Sequence, residues 1–205
     1  MKKQKLTKVA IGVPSGDMVH ADFAICLGHL MVSAIRNGVN IAVINQRSSL
    51  VEVGRCEMVE SARQVGADKI LFLDSDMTFP DNVLTELLKT KADIVCCDAV
   101  QRRPPYQPVV KTIDNKTIDH KSCEKDMVEL KGVSPACMLV DLKVFDKIER
   151  PYFHVEWNGD NEFLGEDFYF SNKARKAGYK IWCNIPLSQY IGHIGNYTFY
   201  VPRTK

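Results

Sequence analysis

No two of the seven cysteines, at 26, 56, 96, 97, 123, 137 and 183, have C-x-x-C spacing, so a zinc knuckle and a dithiol redox motif are both absent. The count is odd, and Cys96 and Cys97 lie side by side in an apolar run, where free thiols behave as small hydrophobes. Reduced, structural cysteines are expected rather than metal ligands. No apolar run approaches the about 18 residues of a membrane span. The basic start Met1-Lys2-Lys3-Gln4-Lys5 leads into an apolar stretch, 9–13, that Pro14 cuts too short for a signal sequence, and a cytoplasmic location is expected. An excess of one charge is missing too. With 27 Lys+Arg against 25 Asp+Glu the net charge is +2, so no global field draws the chain onto nucleic acid, and affinity for anions has to come from local arrangement. Neither G-x-G-x-x-G nor G-x-x-x-x-G-K-S/T occurs, which removes the dinucleotide and P-loop readings. Internal repeats and low-complexity segments are likewise absent.

What is present is one domain's worth of ordinary globular sequence, 205 residues with 45% hydrophobic and 25% charged. The first half alternates short apolar runs with helical patterns. A strand is expected at 8–13, closed by Pro14-Ser15-Gly16. A helix follows at 21–36, with Phe23, Leu27, Leu30, Met31 and Ile35 at helical spacing and Asn37-Gly38 as its stop. Further strands are expected at 40–44, 69–73 and 92–97, and further helices at 50–65 and from Pro80 to 89. Residues 69–73 show no polar alternation, the mark of a strand buried on both faces. This succession predicts a Rossmann-like α/β fold, a mostly parallel central sheet with helices on both faces. Later regions are less regular. A proline-rich loop at 102–108 precedes a polar stretch, 114–126, read as a hairpin excursion. Strand material at 127–140 is broken by Gly132 and Pro135, and a short helix is expected at 142–148. An aromatic and acidic loop spans 150–165, a helix runs over 166–177 to Gly178, and the tail alternates aromatic and polar residues. No linker divides the chain, so 1–205 is read as a single domain with a small extension in its second half.

Three groups of residues carry chemistry. Asp74-Ser75-Asp76 ends the doubly buried strand. In extended chain, residues two apart point the same way, which would send both carboxylates into the crevice beyond the strand's carboxyl end, where open α/β sheets bind ligands. Like charges so crowded favour a divalent cation between them; the plainer alternative is a pair of turn-capping aspartates. Gly165-Glu166-Asp167-Phe168 opens the penultimate helix, where acids also serve as ordinary dipole partners. The loop before it holds Trp157, Phe163, Glu156, Asp160 and Glu162, a mixture suited to the faces and hydroxyls of a sugar, unless the aromatics are core. Finally, Tyr190-Ile191-Gly192-His193-Ile194-Gly195 presents a histidine between glycines; with Asp76 it would form a mixed N/O shell suited to Mn²⁺. Two weaker features complete the set. Arg55 falls on the apolar side of its helix, either snorkelling or reaching a phosphate or base. Arg102-Arg103 reads as a solvated basic patch.

Taken in order, Val13-Pro14-Ser15, the Arg55-bearing helix, Asp74-Ser75-Asp76, Gly165-Glu166-Asp167 and His193 resemble the GT-A superfamily of nucleotide-sugar glycosyltransferases, in particular its compact family-2-like type. The run from Glu166 through Ala174-Arg175-Lys176-Ala177-Gly178-Tyr179-Lys180 to His193 is similar to that family's E-D … A-x-x-A-G-Y/F-K … H-x-G segment. The resemblance covers nearly the whole chain. It implies a nucleotide-sugar-binding half at 1–100 and an acceptor-binding, catalytic half at 101–205. Asp74 would contact the ribose or the metal. Asp76 and His193 would bind a divalent cation, Mn²⁺ or Mg²⁺, and Pro14, Ser15, Arg55 and Ser75 would hold a UDP- or GDP-type donor. Asp167 would be the base of an inverting transfer to a glycan or other hydroxyl acceptor, with Glu166 and Trp157 on the acceptor side.

Two rivals stand beside this reading. Asp74-Ser75-Asp76-Met77-Thr78 fits the D-x-D-x-T motif of haloacid-dehalogenase-type, Mg²⁺-dependent phosphotransferases, in which the first aspartate attacks phosphorus. That family carries the motif on its first strand, whereas here two strand–helix units come before it. The other rival is a module that binds a nucleotide-sugar without turning it over.

Overall fold

A strand apolar at every position needs cover on both faces, and the computed structural model, which describes residues 6–157, 159, 162–195 and 198–201, supplies it. The basic start at 1–5 and Asp160 of the acidic loop lie outside the described residues. In chain order the strands are β1 (Lys8–Ser15), β2 (Asn40–Arg47), β3 (Lys69–Leu73), β4 (Met77–Thr78), β5 (Ile94–Cys96), β6 (Lys111–Thr112) and β7 (Met127–Gly132). They continue with β8 (Cys137–Asp141), β9 (Glu156–Trp157), β10 (Phe163–Leu164), β11 (Ile181–Asn184), β12 (Gly192–Ile194) and β13 (Thr198–Tyr200). The helices are α1 (Ala21–Arg36), α2 (Val51–Gln64), α3 (Val83–Lys89), α4 (Glu166–Lys176) and α5 (Ile185–Ser188).

Eight strands make the central sheet in the order β2-β1-β3-β8-β5-β11-β7-β6. β8 runs against both β3 and β5, and β7 against both β11 and β6, so the other six share one direction. The sheet is mostly parallel, as the strand–helix repetition predicts, with β8 as an antiparallel insertion. Alternation along β3 divides the core into two layers. Ile70 and Phe72 join Met58 of α2 and Phe170 of α4, while Leu71 and Leu73 join Leu30 of α1 and Leu84 of α3. Five of the seven cysteines are buried and all seven are free, consistent with thiols used as small apolar groups.

Several boundaries differ from expectation. β1 does not close at Pro14 but runs through Ser15, because beyond Gly12 it pairs with β2 alone and a missing N–H costs no ladder bond on the open side. α3 begins at Val83 rather than Pro80, after a turn in which the Val83 N–H bonds to the Pro80 carbonyl. The polar stretch 114–126 forms turns, with the short β6 just ahead of it pairing with β7. Residues 142–146 make one 3-10 turn, capped by Asp141 accepting from the Lys143 N–H.

Two features aim the site. β12 pairs with β4 and β13 in a small sheet, which returns the chain's tail to the tip of β3. α4 docks on β7 through Phe168, whose ring occupies the space a Cβ at Gly132 would need. Ser171 of α4 secures the contact, accepting from the Val133 N–H at 3.1 Å and donating to the Asp167 carbonyl at 2.7 Å.

Candidate active site

β1 and β3 both end at one edge of the sheet, and there a cavity of about 260 Å³ opens. Pro14, Ser15, Arg55, Asp74, Ser75 and Asp76 all line it, together with Gln46, Ser48 and Gly54, which the sequence did not single out. The two aspartates do not extend β3 as anticipated. Residues 74–77 form a turn closed by the Met77 N–H on the Asp74 carbonyl at 3.2 Å, and the turn rotates the carboxylates onto different partners. Period-two geometry holds only where the chain is extended, and the chain is not extended here.

Asp74 is held by Arg55, whose Nη2 lies 3.0 and 3.3 Å from its two oxygens. Arg55 is 3% exposed, so snorkelling is excluded; the guanidinium lies inside the protein. Its Nε stands 3.6 Å from Glu166 Oε1 at the start of α4, which ties the tip of β3 to the acidic pair. Neither Nε nor Nη1 has a hydrogen-bond partner among the described residues. Arg55 thus holds two carboxylates together at the cavity wall, with Nε and Nη1 themselves buried.

Asp76 turns the other way. Its Oδ2 lies 3.0 Å from Arg102 Nη1 and 3.4 Å from His193 Nε2. The His193 Nδ1 is 2.8 Å from the Val100 carbonyl and donates to it, so Nε2 faces the carboxylate. A neutral imidazole would then set one lone pair against another, which calls for a proton or a cation between them. Burial works against charge on both groups, yet their mutual bond outweighs it: the Asp76 carboxyl lies below the usual range and the His193 imidazole above its own. Arg102 is exposed, as a solvated basic patch predicts, yet it has a specific partner in Asp76. Its guanidinium also donates to the Ile194 carbonyl at 3.1 Å, and its loop is held by Tyr106 stacked on Phe199 at 5.1 Å. The signal that could have found it is its place just past the end of a buried strand, β5.

Asp167 sits in the first turn of α4, accepting at 2.7 Å from the Phe168 N–H. Burial, with the neighbouring Glu166 charge added, pushes its carboxyl up to about 6. Ahead of it β9 and β10 form a hairpin in which Trp157 and Phe163 meet edge to face at 4.4 Å. These rings are 52% and 66% exposed, so the alternative of core aromatics is overturned; they form a surface platform. Glu156 and Glu162 are exposed in the same segment.

No protein-family model matches the chain, and no curated protein matches it in sequence. Solved structures do match. Protein A197 from STIV superposes with a TM-score of 0.62 at 17% identity, covering 97% of this chain and 98% of that one. Drosophila beta1,4galactosyltransferase 7 in complex with xylobiose gives 0.57 at 18% identity, over 93% of this chain and 72% of that one. A mutant of that Drosophila enzyme, in complex with manganese, UDP-Gal and xylobiose, gives 0.51 at 20% identity with the same coverage, 93% and 72%. The chain has the GT-A glycosyltransferase fold. In this GT-A chain Asp76 and His193 are brought into direct contact, Asp74 and Glu166 are joined through Arg55, and Asp167 follows Glu166 on α4. Asp74 itself faces Arg55 rather than the Asp76–His193 pair. Among the described residues no three His, Cys, Asp or Glu side chains gather as a metal cluster, and no helix is long and apolar enough to cross a membrane.

Proposed function

We propose that the chain is a metal-dependent glycosyltransferase that moves a sugar from a nucleoside-diphosphate donor to an acceptor hydroxyl with inversion. The observation that carries this reading is Arg55. One buried guanidinium joins the acid at the tip of β3 to Glu166 at the start of α4, so the donor-side and acceptor-side groups meet at a single cation. Asp76 and His193 would hold a divalent cation, since their facing acceptors call for one; the mixed O/N character suits Mn²⁺, and Mg²⁺ would rely chiefly on the Asp76 carboxylate. When bound, such an ion would neutralise charge developing on the leaving diphosphate.

The chain's own residues do the rest. Pro14, Ser15, Ser75 and Arg55 line the donor cavity, where Arg55 fixes the position of the Asp74 carboxylate. Arg102, already poised on Asp76, supplies a second cation at the diphosphate. In the transfer a bond forms from the acceptor oxygen to the anomeric carbon, the carbon–phosphate oxygen bond breaks, and the hydroxyl proton passes to the Asp167 carboxylate. Glu166 orients that hydroxyl, and the Trp157–Phe163 platform suits an acceptor sugar face.

Asp74 held through both oxygens by Arg55 is a poor nucleophile, which disfavours the phosphotransferase reading. Titration calorimetry with UDP and GDP, in Mn²⁺ and in chelator, tests the proposal. Binding that needs the metal is expected; unchanged affinity in chelator defeats the metal assignment. Donor binding without transfer or hydrolysis for any acceptor would leave a non-catalytic module.

A further inference from the structure

A surface helix ordinarily turns its apolar stripe to the core and polar residues to solvent, yet α1 carries apolar residues on two opposite sides and is covered on one only. Phe23, Leu30 and Ala34 face the core. On the opposite side Ile25, Val32 and Ile35 are 61%, 49% and 62% exposed, with Ala21 and Gly28 exposed between them. These five positions follow one another at spacings of four, three, four and three, the seam of a coiled coil written on a solvent face. Gly28 at its centre weakens a helix and has no reason inside this chain, since a Cβ there would meet nothing within 4 Å. A glycine in that place admits another backbone.

Charge settles what the other backbone is. Asp22, His29 and Arg36 recur every seven residues along one flank of the seam. Neither Asp22 nor Arg36 has an ion-pair partner among the described residues. About a two-fold axis crossing the helix near residue 29, an antiparallel copy brings Asp22 opposite Arg36 at both ends, and Ile25 beside Val32. A parallel copy would place identical residues at equal height and make no Asp–Arg pair. A membrane surface would call for Lys and Arg along the polar flank, and this flank is balanced.

The geometry points to a homodimer formed by antiparallel packing of the α1 outer faces. The exposed Met18 and Val19, in the segment that leads into α1, extend the patch toward the second copy's Arg36 end. One helix pair with these additions is a small interface, so the association is of about micromolar strength.

Sedimentation velocity from about 1 to about 200 µM tests this over the range where a micromolar equilibrium shifts. The wild-type chain should pass from monomer to dimer. Val32→Asp should weaken dimerisation at least tenfold while circular dichroism stays native. Asp22→Arg and Arg36→Asp should each weaken it, and the double variant should restore it. Gly28→Gln should stabilise the monomer helix and weaken the dimer, opposite signs that a purely internal role cannot give. A wild type monomeric at the highest concentration overturns the proposal, as does a double reversal no better than the single changes, or a monomer that instead sediments with anionic phospholipid vesicles.

Discussion

Among the described residues two Asp–His pairs form, and they are built to opposite ends. Asp98 and His120 are fully buried, with Oδ2 to Nε2 at 2.9 Å. The other oxygen of Asp98 accepts the N–H groups of Ala99, Val109 and Val110 at 2.8, 3.1 and 3.2 Å, and its own N–H donates to Ser188 Oγ at 2.8 Å. That carboxylate is saturated by the protein, and it knots the irregular segment 98–120 to the end of β5. The Asp76 carboxylate is 23% exposed and lines the cavity; its Oδ2 is shared between Arg102 and His193 at looser distances. What separates the two carboxylates is therefore the state of their remaining lone pairs and their access to solvent. The residue types are the same.

The sharpest way to break the comparison is Asp98→Ala. It leaves the buried Ala99 and Val110 N–H groups and a buried imidazole without their acceptor, each worth about 1–3 kcal/mol, while the Val109 N–H keeps the Ala99 carbonyl at 3.0 Å. A loss of about 5 kcal/mol or more is expected, close to the whole margin of an ordinary domain. Denaturant unfolding should show a chain largely unfolded at 25 °C. A midpoint near wild type would mean that the knot holds nothing.

Next in size is Asp167→Asn, expected to lower transfer about 10³-fold while donor binding is kept. Its pH behaviour is distinctive. The folded carboxyl is raised from 3.8 to about 6, so its contribution to stability is present below pH 4 and lost as pH rises through 6. The Asn variant should then be more stable than wild type by about 1–3 kcal/mol at pH 8 and equal to it near pH 4. Wild-type kcat/KM should climb through pH 6 and level off. Full turnover by the variant would remove Asp167 from the base role, and equal stability at both pH values would deny the burial effect.

How much of this was legible depends on the range over which each feature is encoded. Strands such as 69–73 could be read because burial on both faces needs apolar residues at successive positions, a local requirement. The direction of β8 could not: Cys137–Asp141 has the same apolar character as its parallel neighbours, and its place between β3 and β5 is set by pairings with residues dozens of positions away. The helical spacing around Arg55 put a cation on the apolar side, but its carboxylate partners lie at 74 and 166 and no local pattern names them. Nothing local marks Asp98 and His120 as partners, because a polar residue after a buried strand looks like the start of a loop. The partner of the exposed Arg102 is hidden for a related cause, since loop composition does not reveal the Tyr106–Phe199 stack that holds its loop.

Asp76→Asn tests the open pair. Its carboxyl is lowered by His193 and Arg102 despite burial, so it contributes stability above pH 4 that fades only as pH falls through its depressed value. At pH 7 the substitution should shift the unfolding midpoint by no more than a few degrees, about ±1 kcal/mol, in contrast to Asp98→Ala. Metal-dependent nucleotide affinity and transfer should fall about 10²-fold. An unfolded variant would place Asp76 with Asp98 among the structural residues and erase the distinction between the pairs.

The smallest effect is expected at Arg102, and it sharpens the comparison most finely. An exposed ion pair contributes about 0–1 kcal/mol to stability, so Arg102→Ala should leave the fold unchanged. It also removes the cation that now sits on Asp76 Oδ2. Mn²⁺ binding without nucleotide, followed by electron paramagnetic resonance, should therefore tighten by about 3–10-fold, because a like charge has left the site. Nucleotide-diphosphate affinity in saturating Mn²⁺ should weaken by a similar factor, since a donor to the diphosphate is gone. The two shifts have opposite signs, and a residue that merely braced the loop would move both the same way. Arg102 and His193 together keep Asp76 occupied without saturating it, the condition that the Asp98–His120 pair does not meet.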